Sequence, residues 1–164
     1  MINQIPLFKD KKLGRIYTFI DFGNVNYWYE RDIRNAEGII LKKGFKLVVD
    51  IKKLASFTRN FAQHIRFYYG LDSHNLKSLK IITLARKYFD KAVTKQIQLI
   101  KHYLKPQERR LNTRDIKSDH TGQYIYIPKC NFDVEICLDA VRFIKNYDTF
   151  CLFSSDADFT YLLT

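Results

Sequence analysis

The stretch Thr149-Phe150-Cys151-Leu152-Phe153-Ser154-Ser155-Asp156-Ala157-Asp158-Phe159 decides how this chain is read. Its apolar run is short, carries aromatics and has a β-branched start, the marks of a buried strand. Ser154 and Ser155 then make a turn, and Asp156 opens a helix, since Asp favours the first helical turn. Both carboxylates therefore fall at the C-terminal edge of a parallel sheet, where α/β folds build their sites. Two anions this close repel unless a cation or a shared proton holds them. A helix cap beside a solvated neighbour is the competing reading of this stretch taken alone.

Two further pieces repeat the design. From Arg15 to Asn24 an apolar strand, Ile16 to Ile20, runs into Asp21 and then a turn containing Gly23. From Tyr124 a strand-like run feeds a helix start at Asp133. Asp21, Asp133, Asp156 and Asp158 are thus expected to converge from three element ends. Clustered carboxylates attract Mg²⁺ or Mn²⁺, hard cations that prefer oxygen ligands. Asn24 adds a short uncharged ligand or positioning group.

At 164 residues the chain is long enough for one domain with a real core. Its net charge of +11 and pI of about 9.6 suggest a polyanionic partner, most simply nucleic acid. Cys130, Cys137 and Cys151 are odd in number and lack CxxC spacing, which argues for reduced thiols and a cytoplasmic location. The four histidines have no zinc-ligand spacing. No apolar run has the length of a membrane span, so no membrane partner is expected.

Residues 1–14 read as a polar lead-in to a domain over 15–164. Phe45 to Val49 reads as a short extension, followed by a helix capped by Asp50 and striped through Phe61. Ile65 to Tyr69 is the second core strand. Asp72 to Asn75 makes a turn and cap for a helix from Leu76 to about Asp90. Alternation over Val93 to Lys101 predicts a half-exposed strand running toward Leu104. Pro106 to Gln123 has no apolar period and reads as a mobile loop or hairpin tip. Its Arg109, Arg110, Arg114 and Lys117, with Lys129 beyond it, are expected to meet nucleic-acid phosphates, a solvated linker being the competing reading.

The clearest helix spans Asp133 to about Asn146. Val134, Cys137, Leu138 and Val141 form an apolar stripe that Ile136, Ala140, Phe143 and Ile144 widen, which predicts burial against the sheet. Asp139 falls about 120° around the helix from Asp133, so it is expected to pair with an Arg or a backbone amide rather than share a metal. Glu135 also projects away from Asp133. Strands alternating with helices predict a mainly parallel sheet flanked by helices.

At these residues the sequence resembles an NYN domain, of the PIN-like nuclease superfamily and its LabA-like group. The family patterns are I-D-G-x-N, K-G-x-D-V-x-L-x-x-D and S-G-D-x-D-F, each after a strand. They stand here as Ile20-Asp21-Phe22-Gly23-Asn24, as Lys129 to Asp139, and as Ser154 to Phe159. The resemblance runs from about Arg15 to Thr164 and implies a three-layer, PIN-like/Rossmann-like α/β fold. It implies a metal-dependent ribonuclease that hydrolyses RNA phosphodiester bonds with metal-activated water. Asp21, Asp133, Asp156 and Asp158 would surround Mg²⁺ or Mn²⁺, with Asn24, Ser154, Ser155 and Asp139 in support. Phe22 displaces the first motif's Gly, Cys130 replaces the second's, and Ser155 replaces the third's.

The alternative is a non-catalytic RNA-binding regulatory module that keeps the fold. A haloacid-dehalogenase-type phosphatase would require an acid at Gly23, and a P-loop is absent. The family fold continues past Asp158 into a further strand and helix. The strand from Thr149 to Phe153 is therefore expected to present an apolar open edge. The expectation is that the chain is a fragment truncated at its C-terminus, or that a second copy, another chain or the lead-in covers this edge.

Overall fold

The computed structural model describes residues 11–29, 31–111 and 115–163, without the side chains of residues 11 and 109–111. The strands in chain order are β1 (Ile16–Asp21), β2 (His64–Leu71), β3 (Lys91–Gln96), β4 (Gln98–Tyr103), β5 (Lys117–Asp119), β6 (Gly122–Lys129) and β7 (Thr149–Phe153). The helices are α1 (Phe22–Val25), α2 (Ile51–Arg59), α3 (Leu76–Tyr88), α4 (Pro106–Leu111), α5 (Asp133–Arg142) and α6 (Thr160–Leu163).

A four-stranded sheet, ordered β3-β2-β1-β7 and parallel throughout, forms the centre. β1 lies inside it because both of its faces are apolar. Ile16 and Ile20 pack with Ile65 and Phe67 against Ile51 and Ala55 of α2 and Ala85 of α3. On the opposite face Phe19 and Tyr68 pack against Ile136 and Ala140 of α5, with Phe132 and Phe159. Helices thus cover both faces, giving the three-layer α/β arrangement. The Asp50 side chain accepts from the Lys53 amide at 2.8 Å, and Asn75 Oδ1 accepts from the Lys77 amide at 2.9 Å. These two caps fix where α2 and α3 begin. No helix among the described residues is long and apolar enough to cross a membrane.

Several expectations need correction. The alternating run from Val93 is two strands in two sheets. β3 joins the parallel sheet, whereas β4 turns away into a three-stranded antiparallel sheet ordered β4-β6-β5. The break is at Ile97, whose amide donates to the Leu71 carbonyl at 3.0 Å. The run Tyr124 to Ile127 belongs to β6 of this second sheet, outside the parallel one.

Residues 106–123 are not one loop. Pro106 opens α4, where its missing N–H costs nothing, and Glu108 accepts from the Lys105 amide at 2.7 Å. β5 and β6 then form a hairpin around His120 and Thr121. Arg114 lies outside the described residues. Phe45 to Val49 forms no strand; before it, a bridge between Arg34 and Ile40 closes a turn.

α5 ends at Arg142, four residues early, and residues 143–146 tighten into turns. Only part of its expected buried face is buried: Ile136 and Ala140 are in the core and Cys137 packs against it, but Val134, Leu138 and Val141 are 68%, 58% and 64% exposed. The buried side is Ile136, Asp139 and Ala140. A charge network turns the helix this way. Asp139 Oδ2 accepts from Arg66 Nη2 at 2.5 Å, Arg66 Nε at 3.1 Å and the Tyr68 hydroxyl at 2.9 Å.

β7 is the outer strand of the parallel sheet, with no partner on its far side among the described residues. Its start is tied to the lead-in by the Thr149 hydroxyl, which donates to the Leu13 carbonyl at 2.5 Å, and just before it Asp148 pairs with Arg15 at 3.1 Å.

Candidate active site

The C-terminal ends of β1 and β7 and the N-terminus of α5 border one cleft of about 460 Å³. Asp21, the last residue of β1, is 5% exposed. Its Oδ2 accepts from Asn24 Nδ2 at 2.6 Å and from the Ser154 hydroxyl at 3.1 Å. Asn24 Nδ2 also reaches Ser154 Oγ at 3.3 Å, so β1 and β7 are joined by these three side chains. Burial pushes the Asp21 carboxyl above the usual carboxylate range, and the hydrogen bonds from Asn24 and Ser154 offset this only in part.

Asp133 opens α5 and is held by Asn131. The Asn131 amide donates to Asp133 Oδ2 at 2.6 Å, and Asn131 Oδ1 accepts from the Asp133 backbone amide at 2.8 Å. After β7, the Asp156 amide donates to Ser154 Oγ at 3.2 Å, and Asp156 Oδ1 accepts from the Asp158 amide at 3.0 Å. This turn brings three carboxylates together. One oxygen from each of Asp133, Asp156 and Asp158 lies within 4.8 Å of the others. The donor set is oxygen only and anionic, which suits Mg²⁺ or Mn²⁺ over softer ions.

The expected site residues separate into groups. Asp133, Asp156 and Asp158 form the three-carboxylate cluster. Asp21 and Asn24 line the same cleft, but Asp21 stands outside the cluster, its Oδ2 occupied by Asn24 and Ser154. Ser154 bridges Asp21 and Asp156, while Ser155 is exposed. Asp139 lies under α5 in the Arg66 network. Glu135 pairs with Lys95 at 2.6 Å.

Lys129 borders the cleft. Lys117 sits over the Tyr126 ring at 5.2 Å and shares a shallow groove with Pro128, which also borders the cleft. Arg109 and Arg110 lie on α4.

The departures from the family glycines leave no backbone strain, for no described residue other than glycine has positive φ. Phe22 is fully buried with its ring 4.7 Å from Phe67, and Gly23 follows it. Cys130 packs against Gly70, where an added Cβ would lie 2.8 Å from the Cys130 Cβ.

Sequence reasoning passed over Asn131, Tyr27, Tyr69, Asn75 and Ser78, all of which line the cleft. Only Asn131 had a signal: Asn two residues before a helix-opening Asp is a common local cap.

Comparison with curated proteins and with solved structures gives no match. The NYN domain family model matches residues 15–164. With a parallel sheet flanked by helices and an acidic cluster at its C-terminal edge, the chain belongs to the NYN domain family of PIN-like nucleases.

Proposed function

We propose that this domain is a metal-dependent ribonuclease that hydrolyses RNA phosphodiester bonds. The observation that carries the reading is the meeting of Asp133, Asp156 and Asp158 from two separate element ends. Three carboxylates at this spacing repel one another at neutral pH, and a divalent cation relieves that repulsion. Asp133, Asp156 and Asp158 would hold the ion, with Asp21 beside them as the fourth acidic group. A bound Mg²⁺ or Mn²⁺ supplies Lewis acidity toward the phosphate and makes a water more acidic.

The chain's own groups do the rest. Asn24 and Ser154 fix the Asp21 carboxylate, and Asn131 fixes that of Asp133. Both are thereby oriented before substrate arrives, which lowers the reorganisation needed during reaction. Lys129 on the cleft rim and Lys117 beyond Pro128 offer positive charge to the phosphate backbone. Arg109, Arg110 and Arg114 belong to the same basic segment of the sequence.

The test is cleavage of labelled single-stranded RNA with Mn²⁺, with Mg²⁺ and with a chelator. Activity is expected only with metal. Asp156→Asn is expected to lower it by roughly 100-fold or more, the scale on which a site's electrostatic groups act. Full activity in Asp156→Asn overturns the assignment. RNA binding without cleavage under every metal condition would make the domain a binding module.

A further inference from the structure

We infer that the cleft carries a nucleobase subsite, with Tyr27 as the surface on which a base of single-stranded RNA stacks beside the phosphate at the carboxylates. The inference rests on the ribonuclease reading for the position of that phosphate. The cleft is larger than the carboxylates require, and 460 Å³ lies in the range of small-ligand sites. Beyond the carboxylates of Asp21, Asp133 and Asp156 its walls include Tyr27, Tyr69 and Ile97, with the polar side chains of Asp72, Asn75 and Ser78. Aromatic and apolar walls with a few hydrogen-bonding groups suit a base, whereas Asp72 on this side would repel a phosphate.

Tyr27 is placed for this role by its backbone. Its amide donates to the Asn24 carbonyl at 3.0 Å, so the turn that carries Asn24 to Asp21 also carries Tyr27 to the cleft. The side chain is 62% exposed and belongs to neither core cluster, so burial does not account for a large aromatic here. Gly70 of β2 also lines the cleft. A Cβ there would lie 2.7 Å from Ile97 Cγ2 and 2.8 Å from Cys130 Cβ, so only glycine lets those walls close onto the strand. Stacking uses the π-face that every base has, so the subsite would bind single strands with little sequence preference. A duplex, whose bases are already stacked, would not offer one.

The experiment separates this inference from catalysis. A short single-stranded RNA containing 2-aminopurine is titrated with protein in chelator, where binding is read without cleavage. Wild type is expected to quench the fluorescence by stacking. Tyr27→Leu is expected to weaken binding about 10-fold, or about 1.4 kcal/mol, and to abolish the quench, whereas Tyr27→Phe retains both. With Mn²⁺ present, Tyr27→Leu is expected to raise KM more than it lowers kcat.

Unchanged binding and quenching in Tyr27→Leu overturns the inference even where cleavage is seen. Loss of both in Tyr27→Leu, with no cleavage by wild type under any metal, upholds the subsite and removes the ribonuclease reading. No RNA binding by wild type overturns both. The exposed position of Tyr27 keeps folding out of the comparison, and matching circular dichroism melts confirm that the variants are folded.

Discussion

Replacing Asp139 by Ala should destabilise this protein more than removing any of the cleft carboxylates. Asp139 and Arg66 side chains are 10% and 9% exposed, and Tyr68 beside them is fully buried. One carboxylate oxygen accepts three hydrogen bonds from these two partners. Burial pushes the Tyr68 phenol above its usual range, so its hydroxyl stays a donor to Asp139. Arg142 also reaches Oδ1 at 3.3 Å but is 68% exposed and contributes little.

Without Asp139, the guanidinium is left buried against the Tyr68 hydroxyl and the Phe143 ring, 4.7 Å away, with no carboxylate to balance it among its described core neighbours. Breaking such a pair from one side costs about 3–5 kcal/mol. For a chain of this size each kcal/mol lowers Tm by about 2–4 °C, so a fall of about 6–20 °C is expected. Urea and thermal melts would read it, with Trp28 fluorescence as a second probe, since this residue stacks on Phe153 of β7 at 6.0 Å.

Substituting all three groups with apolar ones, Arg66→Met with Tyr68→Phe and Asp139→Leu, removes the unpaired charge and should recover at least about 2 kcal/mol of the loss. A loss below about 1 kcal/mol in Asp139→Ala, or a triple variant no more stable than that single one, would refute the reasoning.

Two further outcomes are expected. Asp90 ties the end of α2 to the start of β2: its oxygens accept from Arg59 at 2.8 Å and from the Ile65 amide at 2.7 Å. Burial pushes its carboxyl upward, but Arg59 and the Ile65 amide outweigh this and hold it below the usual range. A lowered folded-state pKa adds stability above the unfolded value, and that stability is lost as pH falls through the folded one. Asp90→Asn should therefore cost about 1–2 kcal/mol at pH 7 and progressively less below about pH 4 in urea melts. Asn131→Ala frees the Asp133 carboxylate and should weaken Mn²⁺ affinity about 10-fold, read by metal titration of cleavage, with Tm changed by only a few degrees.

The parallel sheet was legible because its strands write their burial into the sequence. β1 and β2 are apolar on both faces, and the caps at Asp50 and Asn75 are local events that short spacing reveals. β4 was not legible as a separate strand. Period-two alternation continues through Ile97 without a break, and pattern alone cannot say which sheet a strand joins. The acids at the ends of β1 and β7 and at the start of α5 could be found because a strand-to-helix junction is a local signal. Whether Asp21 joins the other three could not, because that depends on Ser154 and Asn24 reaching it first.

α5 shows why composition can mislead about orientation. An apolar stripe says which face would bury most oil, and on that count Val134, Leu138 and Val141 should point inward. The helix instead buries Asp139, because Arg66 lies on β2 directly beneath it and a buried guanidinium without a carboxylate is worse than an exposed valine. The choice also serves the cleft. Asp133 stands six residues before Asp139, about 120° behind it around the axis. Anchoring Asp139 to the sheet therefore leaves Asp133 free of the core and turned to the helix end, where Asp156 and Asp158 meet it. Had the apolar stripe turned inward, Asp133 would have rotated with it, away from the two carboxylates after β7.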